Sequence, residues 1–437
     1  MTSVPGAPTE VLVIGGGFVG LNATRRLLRR SRPGELHLTV VDPRGYMTYH
    51  PFLPEAAAGS IEPRNVVVSL RRTLSGADVL TGDVVALDHA GRRARVRTAD
   101  GAERDLTYDV VVVAPGSVAR TLPVPGLAEH ATGFKTVEEA VHLRGHVLAQ
   151  LDRAEVSTDP ARRARALTFV FVGGGYAGIE AIGEIEDMAR YAVRLHPGLR
   201  AADLRFVLVE ATGRLLPEVG EPLSRYAAQV LRARGVDVAL GTTVTSCAGG
   251  RVVLSDGRAF EAGTIVWTAG VQAHPVLEAT DLPLDDRRRL RVGTDLRVVG
   301  VEDAWGAGDC CAVPDVTAPG AFCAPNAQHA VRQARRLADN LLAGLRGRPT
   351  QEYRHAHVGS VASLGLHQGV AQVRGLRLRG YPAWLLHRLH HLSTVPTGSR
   401  KAGVLLGWVQ AALFHREAVS PGASSHPFTE FERVARS

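Results

Sequence analysis

Lysine is nearly missing from this sequence. Lys135 and Lys401 are the only lysines in 437 residues, so arginine carries nearly all of the positive charge. That bias reads as the imprint of a GC-rich coding genome. With aromatics at 5% and no recognisable nucleic-acid module, nucleic acid is not an expected partner. Cysteine is scarce too: Cys247, Cys310, Cys311 and Cys323 show neither CxxC spacing nor a zinc pattern with histidine, so no metal is expected and the thiols read as buried or incidental. No apolar run reaches the ~18–20 residues that span a bilayer. The longest candidate, Ala402 to Phe414, is too short and contains Gln410. The opening MTSVPGAPTE has no charged stretch followed by an apolar one, so no export signal is read there and a reducing, cytoplasmic compartment is expected.

Acid is absent from one long stretch. Between Tyr353 and Arg416 there is no Asp or Glu, while Arg354, Arg374, Arg377, Arg379, Arg388, Arg400, Lys401 and Arg416 lie within it. These eight residues equal the whole net charge of +8. The same stretch holds His387, His390 and His391 beside Trp384 and Leu385, with Leu385, Leu389 and Leu392 at i, i+4, i+7 on one helical face. A second apolar stretch (Val404, Leu405, Trp408, Ala412, Phe414) follows the turn-like Pro396 to Gly398. Such helices suit an anionic membrane surface. The alternative is packing on the protein body or a homodimer contact.

What the sequence does contain is an ordinary globular composition, 45% hydrophobic and 22% charged, in a chain longer than one core usually supports. It also contains one pattern twice. The strand Val11 to Ile14 runs into Gly15-Gly16-Gly17-Phe18-Val19-Gly20 and then a helix ending near Arg30. In this setting Gly15 permits the tight turn, Gly17 lets the backbone approach a pyrophosphate, and Gly20 lets the helix pack closely on the sheet. The next strand, His37 to Val41, ends at Asp42, whose carboxylate can accept from ribose hydroxyls. The second copy is Leu167 to Val172, then Gly173-Gly174-Gly175-Tyr176-Ala177-Gly178, a helix through Ile185, and a strand Leu204 to Val209 ending at Glu210. Gly173, Gly175 and Gly178 take the three glycine roles. Glu210 would repel a 2′-phosphate and favours NADH over NADPH, although Arg214 lies close by in sequence. Matched exits follow each copy, Val110 to Ala114 before Pro115-Gly116-Ser117, and Thr264 to Thr268 before Ala269-Gly270-Val271.

A third element, Ala304-Trp305-Gly306-Ala307-Gly308-Asp309, resembles the Gly-Asp motif of two-dinucleotide flavoproteins, in which the aspartate bonds the ribityl chain of FAD. Alone it would be an ordinary acidic turn. After it, Pro325-Asn326-Ala327-Gln328-His329-Ala330 opens a long helix through Leu345. Together with Tyr49-His50-Pro51-Phe52-Leu53-Pro54 and Trp267-Thr268-Ala269-Gly270-Val271, these motifs resemble the type II NADH dehydrogenases, the single-chain NADH:quinone oxidoreductases. The resemblance runs over nearly the whole chain.

It implies an α/β fold of two Rossmann-like, glutathione-reductase-type nucleotide-binding domains plus a C-terminal amphipathic helical region. The expected division is 1–118 and 276–375 for non-covalent FAD, 119–275 for NADH, and 376–437 for a membrane-surface or dimerisation region. Asp309, Ala327 and Gly270 join the two loops, Asp42 and Glu210 as cofactor-binding residues. Glu180, with Glu184 one turn later, corresponds to the family's glutamate beside nicotinamide and flavin, and Gln328 would line the acceptor side. Read from the residues alone, the two glutamates could simply solvate a helix or form a salt bridge. The family's acceptor-side motif, AQxAxQ, is matched at Ala327, Gln328 and Ala330, but Arg332 takes the second glutamine position and Gln333 follows one residue late. On a helix that displacement turns an amide by ~100°. Dithiol and sulfide-oxidising relatives need a cysteine pair, and from Asp42 to Val170 there is no cysteine at all. The implied activity is electron transfer from NADH to a quinone by a peripheral protein on the inner face of the cell membrane. The displaced Gln333 keeps open a soluble flavoenzyme acting on a quinone-like metabolite, and the basic tail a redox-sensing protein that binds an anionic partner.

Overall fold

A computed structural model describes residues 7–355 and 359–419; the reading of the first six residues and the end of the expected 376–437 region lie outside it. The chain forms two compact units. The first comprises the described residues of Met1–Thr48, Val67–Val118 and Val271–His357, the second those of Tyr49–Val66, Ala119–Gly270 and Val358–Ser437. The expected linear division differs from this in three places: Tyr49–Val66 groups with the second unit, residues 271–275 group with the first, and the chain from residue 358, well before 376, groups with the second.

In the first unit a seven-stranded sheet has the order Ala304–Gly306, Val110–Val113, Thr9–Ile14, Leu36–Asp42, Asp78–Asp88, Arg93–Thr98, Glu103–Thr107. The first five strands are parallel and the last two join antiparallel. Val110–Val113 is buried at every position, the continuous apolar run expected of a parallel strand covered on both faces. Helix Phe18–Arg30 and helix Ala327–Leu345 belong to this unit and are tied by Arg26 and Arg30 to Asp339.

The second unit repeats the plan with five parallel strands, in the order Ala131–Gly133, Thr264–Trp267, Thr168–Val172, Arg205–Glu210, Val236–Leu240. Helix Tyr176–Val193 follows its central strand and buries almost its whole circumference. An antiparallel sheet, Gly359–Ser363, Gly369–Val373 and Leu376–Arg379, precedes two C-terminal helices, Tyr381–Thr394 and Gly398–Phe414. No helix among the described residues is long and apolar enough to cross a membrane.

Candidate functional site

The two glycine loops have the same geometry, position for position. Gly15 and Gly173 adopt positive φ, +96° and +113°, and an added Cβ would meet the backbone oxygen of Ala114 at 2.3 Å or of Thr268 at 2.7 Å. Gly20 and Gly178 are crossed by the preceding turn: a Cβ there would lie 1.8 Å from the Gly15 oxygen and 1.9 Å from the Gly173 oxygen. Gly17 and Gly175 are the N-caps of helices Phe18–Arg30 and Tyr176–Val193, and neither has a side-chain cap or an acid in the following turn. A Cβ at either would meet nothing within 4 Å. Each helix therefore starts at an open space lined by amide groups, the cradle that a pyrophosphate fills.

The acids stand where the loops need them. Asp42 Oδ2 accepts from the Gly16 amide at 2.7 Å and Oδ1 from the Arg44 amide at 2.8 Å. Burial pushes the Asp42 carboxyl above its usual range, against those two hydrogen bonds. Glu210 repeats the arrangement: Oε2 accepts from the Gly174 amide at 2.5 Å and Oε1 from the Thr212 amide at 2.7 Å. Arg214, which the sequence left as a possible phosphate partner, donates to the Pro217 carbonyl at 2.6 Å. Gly270, at φ +93°, closes the exit from strand Thr264–Trp267.

In the first unit Asp309 Oδ2 accepts from the Ser117 hydroxyl at 2.8 Å, which joins the Gly-Asp turn to the exit of strand Val110–Val113. The helix expected to open at Pro325 begins at Ala327, capped by the Asn326 side chain, which accepts from the His329 amide. Ala327 and Gln328 thus occupy its first turn, and the Gln328 carbonyl accepts from Arg332. Gln333 has a role that the motif comparison missed. Its buried Oε1 accepts from the Gly308 amide at 2.8 Å, so its place one residue later on the helix holds the turn that presents Asp309. The helical period could have shown this, since Ala330, Gln333, Ala334 and Leu337 share the buried face.

Glu180 and Glu184 lie on the buried side of helix Tyr176–Val193, which excludes helix solvation for both. Glu180, 7% exposed, accepts from the Ser363 amide at 3.1 Å, and its Oε1 lies 2.9 Å from His387 Nε2. Glu184 Oε2 lies 2.8 Å from Arg416. Both partners come from the acid-free C-terminal stretch. A third buried acid from that neighbourhood, Glu55, accepts from Trp408 Nε1 and, at 3.2 Å, from Arg388. The Arg388 guanidinium sits between the rings of Trp384, at 4.1 Å, and Trp408, at 4.8 Å. Spacing between distant residues gave no signal for any of these pairs.

Cys310 packs on the Gly-Asp turn, its Sγ donating to the Ala307 carbonyl at 3.4 Å. Cys310 and Cys311 are buried, with the Cys311 thiol pushed well above its ordinary value by burial. Cys323 is pushed up to about 11 by burial and the nearby Asp315, so neither Cys311 nor Cys323 offers a ready thiolate at neutral pH. No group of three or more potential metal ligands is found among the described residues.

Comparison with known proteins places this geometry. The family model for pyridine nucleotide-disulphide oxidoreductases matches residues 9–334. The type II NADH:quinone oxidoreductase Ndh of Mycobacterium tuberculosis is 30% identical over 433 residues, covering 95% of this chain and 90% of that protein. A type II NADH:quinone oxidoreductase of Staphylococcus epidermidis is 29% identical, covering 87% and 93%. Among solved structures, NDH2 of Plasmodium falciparum in complex with NADH superposes with a TM-score of 0.87 over 94% of this chain and 99% of that one, at 16% identity, a likeness of fold. By family model and by relatives aligned over nearly its full length, the chain belongs to the type II NADH:quinone oxidoreductases, within the pyridine nucleotide-disulphide oxidoreductases.

Proposed function

We propose that this protein binds FAD on the Gly15–Gly20 loop and NADH on the Gly173–Gly178 loop, and passes electrons from NADH to a quinone. The observation that carries the reading is the duplicated cradle: two loops with one geometry, each with its own carboxylate, Asp42 and Glu210. Two dinucleotides with different tasks are what such a duplication serves. FAD, when bound, supplies the atom that accepts the hydride and the reversible two-electron chemistry that follows.

The protein's share is placement and proton handling. Asp42 and Asp309 hold the ribose and ribityl hydroxyls of FAD, and Ala327 and Gln328 present the first turn of helix Ala327–Leu345, with Gln328 on the acceptor side. Glu210 receives the ribose of NADH and disfavours a 2′-phosphate. That preference is supported by Arg214, whose guanidinium donates to Pro217. Gly270 lets the backbone approach the nicotinamide end, and Glu180 acts beside the nicotinamide as the site's ionisable group. The reading of a soluble enzyme for a quinone-like metabolite rested on the displacement of Gln333, and that amide oxygen bonds Gly308. The peripheral location at the inner face of the cell membrane is supported by the outward faces of the C-terminal helices, where Leu389, Leu406, Val409, Leu413 and Phe414 are all exposed. A homodimer through the same face is the competing use of that surface.

The test is direct. Purified protein should release FAD on acid precipitation and oxidise NADH with menaquinone, ubiquinone or a water-soluble quinone as acceptor. A colourless protein, or one that oxidises NADH with none of the quinones, sinks the proposal.

A further inference from the structure

Helix Ala327–Leu345 turns two faces to different tasks. Ala330, Gln333, Ala334 and Leu337 are buried, and Gln333 holds the Gly308 amide. Arg332, one residue earlier and so ~100° round the helix, is half-buried and stands one turn after Gln328 on the same side. Its side chain leans back towards the start of the helix, where Nη1 donates to the Gln328 carbonyl at 3.1 Å. That bond fixes the guanidinium beside the Gln328 turn. The Nε–Nη2 edge is left with no hydrogen-bond partner, and the group with no acid, among the described residues. Other half-buried arginines of the same unit are paired: Arg26, Arg289 and Arg346 reach Asp339, Asp285 and Glu35 at 2.6, 2.8 and 2.6 Å. The first turn of the helix carries no acid. Asp315, whose charge acts on Tyr353 as that of Arg332 does, accepts from the Thr317 amide at 2.9 Å and from its hydroxyl at 2.7 Å. A guanidinium held half out of water without a counter-ion has given up hydration that an anion would replace.

We propose that Arg332 selects the acceptor, and that the quinone which fits this protein best is an acidic one, with a ring hydroxyl that is ionised at neutral pH. This rests on the reading that Gln328 lines the acceptor side. In a 2-hydroxy-1,4-quinone the ionised oxygen and the adjacent carbonyl oxygen lie side by side in the ring plane. The open edge of the guanidinium presents two parallel N–H groups to such a pair, a charged and bidentate contact. A neutral quinone offers isolated carbonyls, for which the glutamine of the family motif is enough. The replacement of that glutamine by Arg332 is therefore a change of specificity, and the displaced Gln333 is free to serve the Gly-Asp turn.

Two probes that differ by one methyl group test this. At neutral pH 2-hydroxy-1,4-naphthoquinone is an anion, whereas 2-methoxy-1,4-naphthoquinone cannot ionise. In the full-length holoenzyme, Arg332→Gln installs the glutamine of the motif. The ratio of kcat/KM for the hydroxy compound to that for the methoxy compound should fall on the order of 30-fold from wild type to variant, the loss of a hydrogen bond to a charged group. Taking the ratio cancels the compounds' different reducibility and any general loss of turnover. Arg332→Lys keeps the charge without the fork and should give an intermediate ratio, which also covers a glutamine variant that fails to fold. Binding is read separately, without NADH, by calorimetric titration of the hydroxy compound into oxidised holoenzyme. Its dissociation constant should rise by the same factor in Arg332→Gln, and should rise with salt in the wild type. A ratio and a dissociation constant that Arg332→Gln leaves unmoved overturn the selection alone, when the wild type reduces the methoxy compound. A wild type that reduces neither compound nor any other quinone overturns the acceptor reading and the selection with it.

Discussion

One methyl group distinguishes the three glycines of each loop. At Gly20 or Gly178 it would sit under 2 Å from a backbone oxygen, so Gly20→Ala and Gly178→Ala should lower the stability of the cofactor-free protein by more than about 3 kcal/mol, beyond ordinary overpacking. At Gly17 the space is open, and Gly17→Val should unfold within about 1 kcal/mol of the wild type when both are free of cofactor, yet purify without flavin. Thermal unfolding of the stripped proteins and absorbance of the purified ones check the pair of outcomes. A Gly17→Val protein that keeps its yellow colour removes the pyrophosphate assignment. Glu210→Gln keeps an acceptor for one of the Gly174 and Thr212 amides while losing the charge, so the preference for NADH over NADPH in stopped-flow flavin reduction should fall about tenfold, or about 1.4 kcal/mol. The geometry at these residues was legible in the sequence because it is local, fixed by turn conformation and by the end of the next strand. The Glu180 and Glu184 partners were not, since His387 and Arg416 lie far along the chain and only tertiary packing brings them there.

The C-terminal helices show what periodicity can and cannot decide. Leu385, Leu389 and Leu392 were read as one face; Leu385 and Leu389 are exposed and Leu392 is half-buried. Trp384 and Trp408 appeared in the same apolar stretches, yet Trp384 is buried beside Ala383, His387 and Arg388, and Trp408 packs edge-on against Phe52 at 5.6 Å. Packing on the protein, one of the alternatives left open by the sequence, is therefore realised on one face, while the other face is exposed. The inner face has a pH dependence with a definite sign. His391 is held below the ordinary 6.5, so between that lower value and 6.5 the unfolded chain binds more protons than the folded one. Stability contributed by neutral His391 is present above about pH 6.5 and is lost as pH falls through the window below it. The groups around it are His387 and His390 on its own helix, Phe52 against its ring, and Tyr49, whose hydroxyl donates to its carbonyl at 2.9 Å. The hydrogen-exchange protection factors of Tyr381–Thr394 should fall on acidification from pH 7 to 5, and His391→Phe should flatten that change. An equally steep response in the variant assigns the acid sensitivity to another group.

At the scale of the whole molecule, the doubly wound α/β architecture was readable because each unit announces itself by strand, glycine loop, helix and acid, twice in order. The division of the chain was read less well: Tyr49–Val66 carries no such punctuation, and its grouping depends on contacts such as Glu55 with Arg388 and Asn65 with Gly403. Part of the basic excess of the tail has a structural use that composition could not show. Arg388 and Arg416 are spent on the buried acids Glu55 and Glu184, and removing either partner leaves an uncompensated charge at a cost of about 3–5 kcal/mol. Truncation ahead of Gly380 would strip Glu55, Glu180 and Glu184 of these partners at once, so it cannot report on lipid binding. Substitution of the outward face can. Leu406 and Leu413 are each 68% exposed and Phe414 76%, and burying such a side chain in lipid is worth about 1.5–3 kcal/mol. The triple variant Leu406→Ser, Leu413→Ser, Phe414→Ser should keep its flavin and its melting temperature but lose most co-sedimentation with anionic vesicles. What binding persists should be electrostatic, from exposed Arg374, Arg377 and Arg379 at ~1 kcal/mol each, and should vanish as rising salt shortens the screening length. If the triple variant binds vesicles as the wild type does and instead elutes as a smaller species in gel filtration, the outward face is a contact between two copies of the chain rather than a seat on the membrane.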